Sequence, residues 1–220
     1  MLVNADLSLR ASLTPDAYHW VPSPQVGVER VMLDRVGGEV ARATSIVRYA
    51  PQSHFPSHQH PGGEEILVLS GTFSDETRSY PAGWYLRNPP GSSHQPFSAE
   101  GTTIFVKLWQ MPTSEPAEVR IDTRDPTNWA QAGDRWVCWL FDNGVETVQL
   151  QRLVSGQTVA TAEGRQAELL VLDGVLMEGG QVYESGSWLR FPARLHPVLS
   201  AGSRAATVYV KTTHIQGATP

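Results

Sequence analysis

The stretch His58-Gln59-His60-Pro61-Gly62-Gly63-Glu64 decides how this chain is read. Residues i and i+2 of a β-strand point to one face, so His58 and His60 project together. A Pro-Gly-Gly turn then re-aims the chain, and Glu64 opens the next strand. A second stretch, Pro89-Pro90-Gly91-Ser92-Ser93-His94, brings a third imidazole from a separate segment after its own Pro-x-Gly turn. Three imidazoles and one carboxylate are side chains that a divalent transition metal takes as ligands. His58, His60, Glu64 and His94 are therefore the candidate metal ligands, and no catalytic residue beyond them is assigned.

Outward from these motifs the chain reads as sheet. Ala43–Tyr49, Ile66–Leu69, Thr103–Trp109 and Ala206–Lys211 are β-rich runs bounded by turn residues, the signature of an all-β sandwich or barrel. The chain also repeats itself. Glu65-Ile66-Leu67-Val68-Leu69-Ser70-Gly71 matches Glu168-Leu169-Leu170-Val171-Leu172-Asp173-Gly174, Gly83 matches Gly186, and Pro89 matches Pro192, all at one spacing. Two barrels are expected, joined near Pro112–Pro116, with 117–121 read as a strand shared between them. For the entry strands two alignments compete: Gly27-Val28-Glu29 with Gly144-Val145-Glu146, and Arg48 with Arg152.

The repeat is an internal control. Thr161, Glu163 and Ala167 stand where the first half has His58, His60 and Glu64, and His196 alone answers His94. One imidazole cannot hold a transition metal, so the second half is expected to be metal-free and to serve in dimerisation or buttressing. Glu65 and Arg87 are kept as Glu168 and Arg190, which marks both pairs as structural, as ion pairs across neighbouring strands. If Glu64 faces inward, Ile66 and Val68 follow it and line the pocket.

Composition narrows the classes of function. The formal charge is −5 with no Lys/Arg cluster, which argues against nucleic acid as a partner. No apolar stretch approaches a membrane span, and the N-terminus does not read as a signal peptide. The single cysteine, Cys138, lies in the apolar run 136–141 and reads as a packed small hydrophobe in a reducing, cytoplasmic compartment. His19, His54 and His214 read as surface or rim groups, Asp75-Glu76 as a solvated hairpin turn, and Trp84 and Trp109 as core. A homodimer is expected.

Written out, the first motif is His-x-His-x3-Glu-x6-Gly, ending at Gly71, and the second is Gly-x5-Pro-x-Gly-x2-His, from Gly83 to His94. Their order and spacing resemble the two motifs of the cupin superfamily. One position departs: the glycine that usually stands six residues before the first histidine is Gln52. Arg48-Tyr49-Ala50-Pro51, Pro61–Glu65, Val68–Glu76 and Asn88–His94 are similar to the ChrR-like cupin family, closely over 20–110 and more loosely beyond. The resemblance implies two tandem cupin barrels (double-stranded β-helix, or jelly roll). These are a metal-binding barrel over 1–112 and a degenerate barrel without a metal site over 113–220. It also implies one divalent metal, zinc or another (Fe, Mn or Ni), on His58, His60, Glu64 and His94.

Related barrels include iron dioxygenases that cleave diketones, and the family includes the C-terminal cupin of zinc-dependent anti-sigma factors. In those factors a separate helical zinc domain binds sigma. Residues 1–40 here carry His19 and no cysteine, so that zinc site and sigma binding are not expected. Two functional classes follow. One is a metal-dependent, oxygenase-type enzyme acting on a small diketone or hydroxy-acid-like substrate. The other is a metal-dependent sensor or regulatory binding module without catalysis. A barrel that uses metal only for stability is the third reading.

Overall fold

The computed structural model describes residues 1–38 and 40–214. Among them helix is confined to two single turns, Pro15–Ala17 and Pro126–Asn128, and nearly everything else that is regular is antiparallel sheet. The chain forms two compact units. The first comprises 1–5 and 19–125, the second 6–18 and 126–220. Against a boundary expected after 112, residues 113–125 belong with the first unit and 6–18 with the second.

In the first unit the main sheet runs in the order Leu2–Val3, Val28–Gly37, Ala41–Tyr49, Thr102–Leu108, Glu64–Ser74, Trp84–Asn88, Val119–Asp122. In the second it runs Trp129–Ala132, Arg135–Asp142, Glu146–Leu153, Ala206–Thr213, Gln166–Asp173, Trp188–Phe191, Ala11–Leu13. Both are seven strands on one plan, each completed at its last edge by a strand from outside the expected domain. The stretch read as shared between the barrels, 117–121, supplies Val119–Asp122, which pairs with Trp84–Asn88.

Registers prove the repeat. Arg87 stands opposite Glu65, and Arg190 opposite Glu168. Each main sheet carries a bulge on its entry strand, at Leu33 and at Leu140, and a second one at Leu69 and at Leu172. Arg48 pairs with Thr103 as Arg152 pairs with Thr207, so the entry strands align Arg48 with Arg152 and not Gly27 with Gly144. The same alignment explains a shared stacking contact. The Arg48 guanidinium lies 4.2 Å from the Trp20 ring, and that of Arg152 lies 3.8 Å from the Trp129 ring.

Each unit has its own apolar core. The first is built from Val28, Tyr49, Ile66, Val68, Phe73, Tyr80, Leu86, Ile104 and Val106. The second is built from Leu169, Val171, Leu189, Val208 and Val210 with Ala167 and Phe191. A fully buried Leu or Val contributes about 1.5–3 kcal/mol relative to exposure. Cys138 is buried, and burial pushes its thiol up to about 11, in keeping with a packing role.

Gln52 explains the one departure in the motif. Its φ is +60°, the left-handed region that glycine occupies without cost and a side chain does not.

Candidate metal centre

The four expected ligands converge. One donor atom from each of His58, His60, Glu64 and His94 lies within 4.8 Å of the others, the one such cluster found among the described residues. The ring centroids stand 5.0 Å apart for His58 and His60, 4.9 Å for His58 and His94, and 4.5 Å for His60 and His94.

Local structure produces this convergence. His58–Gln59 pairs with Ser93–His94 so that His94 sits directly opposite His58. The loop between them is tied by His60 N–H to Ser92 O at 2.9 Å and by Gly91 N–H to His60 O at 3.0 Å. Glu64 is the first residue of Glu64–Ser74. The intervening turn needs glycine at position 62, because a Cβ there would stand 2.6 Å from the Trp109 ring. Trp109 and Met111 donate their backbone N–H groups to Gly63 and Gly62 and hold the turn from above.

Proton bookkeeping sets the histidine tautomers. The Nδ1 of His58 lies 3.0 Å from the carbonyl of Pro56, which can only accept, so Nδ1 carries the proton and Nε2 the lone pair. Ser92 spends its single hydroxyl hydrogen on Pro89 O at 2.6 Å. Its oxygen therefore accepts from His60 Nδ1–H at 3.0 Å, and Nε2 of His60 is again bare. The Nε2 atoms of His60 and His94 are buried and have no hydrogen-bond partner, and each lies 3.4 Å from Glu64 Oε2. A buried lone pair without a donor costs free energy. A cation between two such lone pairs and a carboxylate satisfies all three, so the residues present fit a divalent metal.

Burial, helped by the charges of His58 and Arg120, holds the His60 ring down to about 4; burial also lowers His94. Both rings are thus neutral at physiological pH, as metal binding requires. Behind the carboxylate stands a supporting chain. Asn88 Nδ2 donates to Glu64 Oε2 at 2.9 Å, and Arg120 Nη2 donates to Asn88 Oδ1 at 2.6 Å. Arg120 also donates to Tyr80 OH and to Arg87 O. Such partners orient a ligand and tune its basicity.

The second unit replaces the Glu64–Asn88 pair with apolar residues. Ala167 stands opposite Phe191 where the first unit has Glu64 opposite Asn88, and both are buried in the core. His196 is exposed, its Nε2 accepting from Gly164 N–H at 3.2 Å.

A cavity of about 370 Å³ opens beside His58, His60 and Glu64. Its walls are mainly apolar, from Val28, Val47, Ile104, Val106 and Leu108, and Trp109 closes one side. A wider cleft of about 880 Å³ along 22–29 and 100–103 holds none of the four ligands and is not the candidate. Ile66 and Val68 do follow Glu64 inward, but into the core rather than the cavity wall.

Glu65 and Arg87 are a buried pair, Oε2 to Nη1 at 3.5 Å, with Glu115 at 3.7 Å from Nη2. His54 is exposed and stacks on Phe97. His19 and His214 are exposed. Asp75 is not solvated: it is 6 % exposed and accepts from the backbone of Thr77 and Arg78, closing its hairpin. Trp109 is not core. It is 41 % exposed at the cavity and has φ +58°. The sequence reading missed Asn88, Ser92 and Arg120 as supports. Parity gave a signal for Asn88 alone, since it faces Glu64 across the ladder.

The fold is that of the cupin barrels. Residues 9–112, a little under half of the chain, match the family described as the ChrR Cupin-like domain. A search of curated proteins by sequence finds no match. Among solved structures, the chain is similar to a putative dioxygenase from Nostoc punctiforme, with a TM-score of 0.75, 13% identity, and 96% of this chain and 85% of that one covered. It is similar to a putative glyoxylate induced protein from Pseudomonas aeruginosa, with a TM-score of 0.75, 15% identity and coverage of 96% and 91%. A bacterial pirin from Escherichia coli in complex with nickel(II) gives 0.68, 11% identity and coverage of 94% and 100%. At these identities the likeness is one of fold. No helix of the described residues is long and apolar enough to cross a membrane.

Proposed function

We propose that this protein is a metal-dependent cupin enzyme of oxygenase type, with one divalent ion on His58, His60, Glu64 and His94, acting on a small oxygenated substrate such as a diketone or hydroxy acid. The observation that carries the reading is the convergence of the buried, unpartnered Nε2 atoms of His60 and His94 on Glu64. The adjoining cavity favours chemistry over a closed structural site. A tetrahedral zinc with four protein ligands needs no room beside it, whereas an octahedral Fe, Mn or Ni ion keeps about two positions open. When bound, such an ion supplies Lewis acidity and a template for a chelating pair of oxygens.

The protein's own residues do the rest. Asn88 and Arg120 fix the Glu64 carboxylate, Ser92 and Pro56 fix the tautomers, and the apolar walls exclude water. The names of the putative dioxygenase and of a Bacillus subtilis oxalate decarboxylase among the similar folds lend the enzyme reading weight. The match to the ChrR Cupin-like domain supports a second reading, a metal-dependent sensor whose cavity takes an effector without turnover. A cytoplasmic homodimer is the form we propose for either.

Elemental analysis of the protein purified without a His tag, beside His60→Ala, tests the proposal. About one equivalent of iron, manganese or nickel, lost in the variant, is the expected result. Tightly held zinc with no turnover favours the sensor, and failure to bind any metal on reconstitution defeats both readings.

A further inference from the structure

Arg30 and Arg35 line the same cavity as His58, His60 and Glu64. They share a strand and would point to opposite faces by simple alternation. The bulge at Leu33 restores the match: Arg30 stands opposite Val47 and Arg35 opposite Ala43, so the shift of one residue turns both guanidinium groups to the interior. Arg30 is half-buried, and its Nε is buried without a hydrogen-bond partner among the described residues. Arg35 is 5 % exposed and donates one amine to Gly38 O. The cavity thus sets two guanidinium charges against one carboxylate, Glu64, before any cation is added.

The repeat tells whether these arginines serve the architecture. In the second unit Val137 stands opposite Gln151 and Asp142 opposite Thr147, the places that Arg30 and Arg35 hold in the first. The bulge is kept and both arginines are gone, together with the metal ligands. Glu65 and Arg87, by contrast, keep their counterparts. Arg30 and Arg35 therefore belong with the site.

We propose that Arg30, reinforced by the charge of Arg35, is an anion subsite that holds the carboxylate of a substrate whose oxygenated carbon faces the metal ligands. This rests on the enzyme reading above and names its substrate class: an oxo or hydroxy acid with an apolar body, rather than a neutral diketone. Guanidinium groups bind carboxylates through paired, charge-assisted hydrogen bonds, and an apolar cavity strengthens them. The aliphatic walls and Trp109 accommodate the rest of the molecule.

The test uses two probes, phenylpyruvate and the neutral diketone in which a methyl group replaces one carboxylate oxygen. Each is titrated calorimetrically into cobalt(II)-loaded and metal-stripped protein. Phenylpyruvate is expected to bind more tightly in both forms. Arg30→Val, chosen because Val137 occupies the equivalent place, is expected to weaken phenylpyruvate by about 10–100-fold and to leave the diketone within about twofold. Equal binding of the two probes by the unaltered protein overturns the proposal without recourse to a variant, as does unchanged phenylpyruvate affinity in Arg30→Val. If the protein takes up no cobalt, the enzyme reading fails, while the metal-stripped arm still decides whether Arg30 binds the anion.

Discussion

Asn88 donates its side-chain amide to Glu64 from the position directly opposite on the neighbouring strand, at 2.9 Å. In the second unit that cross-strand pair is Phe191 and Ala167, so amide and carboxylate have been lost together. In the proposed metal site Asn88 is thus a positioning residue for the one anionic ligand. Asn88→Leu is expected to lower metal affinity about 10–100-fold with little change in fold. Competition against a chromophoric chelator measures it; unchanged affinity means that Arg120 and Asn88 merely fill space.

Arg87 lies between Glu65 and Glu115 with no exposed surface. Arg87→Leu leaves two carboxylates buried against an apolar group. A loss of about 3–5 kcal/mol in unfolding free energy is expected from urea titration. Replacing Glu65 as well should recover part of it, because a buried pair replaced whole costs less than one broken in half.

The lowered His60 ring gives the metal-free protein an acid-sensitive stability. A ring that titrates near 4 folded and near 6.5 unfolded binds its proton more readily when the chain is open. Its contribution is intact above about pH 6.5 and is lost as pH falls towards 4. Melting temperatures of chelator-treated protein across that window should decline, and the decline should be shallower in His60→Asn. Equal slopes would place the acid sensitivity elsewhere.

Gln52 occupies a backbone conformation that its side chain disfavours. Gln52→Gly removes a strain of about 1–2 kcal/mol but adds freedom to the unfolded chain, leaving a net gain of about 0.5–1 kcal/mol. For a chain of this size that is a rise of roughly 1–4 °C in Tm by calorimetry. A fall instead would mean that the Gln52 side chain carries a contact worth more than the strain.

The ligands were legible because their convergence is encoded locally. Spacing on short strands and two Pro-Gly turns suffices to bring His58, His60, Glu64 and His94 together. The doubled fold was legible for a similar reason, since Glu65–Gly71 and Glu168–Gly174 fill matching strands. What stayed hidden depends on register and on distant pairing. A bulge at Leu33 changes which residues face inward, so Arg30 and Arg35 cannot be read by alternation. Arg120 reaches Asn88 from a strand past the expected end of the barrel, and nothing in its neighbourhood announces it. Asp75 looked solvated because an acid in a turn usually is; its backbone donors become visible only once the hairpin is closed.

The strand Ala11–Leu13 pairs with Trp188–Phe191, at the far end of the chain. On the ribosome, therefore, Ala11–Leu13 is made long before the strand it pairs with. At about 5–20 residues per second the segment waits some 10–40 s for its partner to emerge. Until then the unpaired strand Ala11–Leu13 is available to other chains. No single cut yields the first unit alone, because a fragment ending after 125 keeps Ala11–Leu13 without its partner strand.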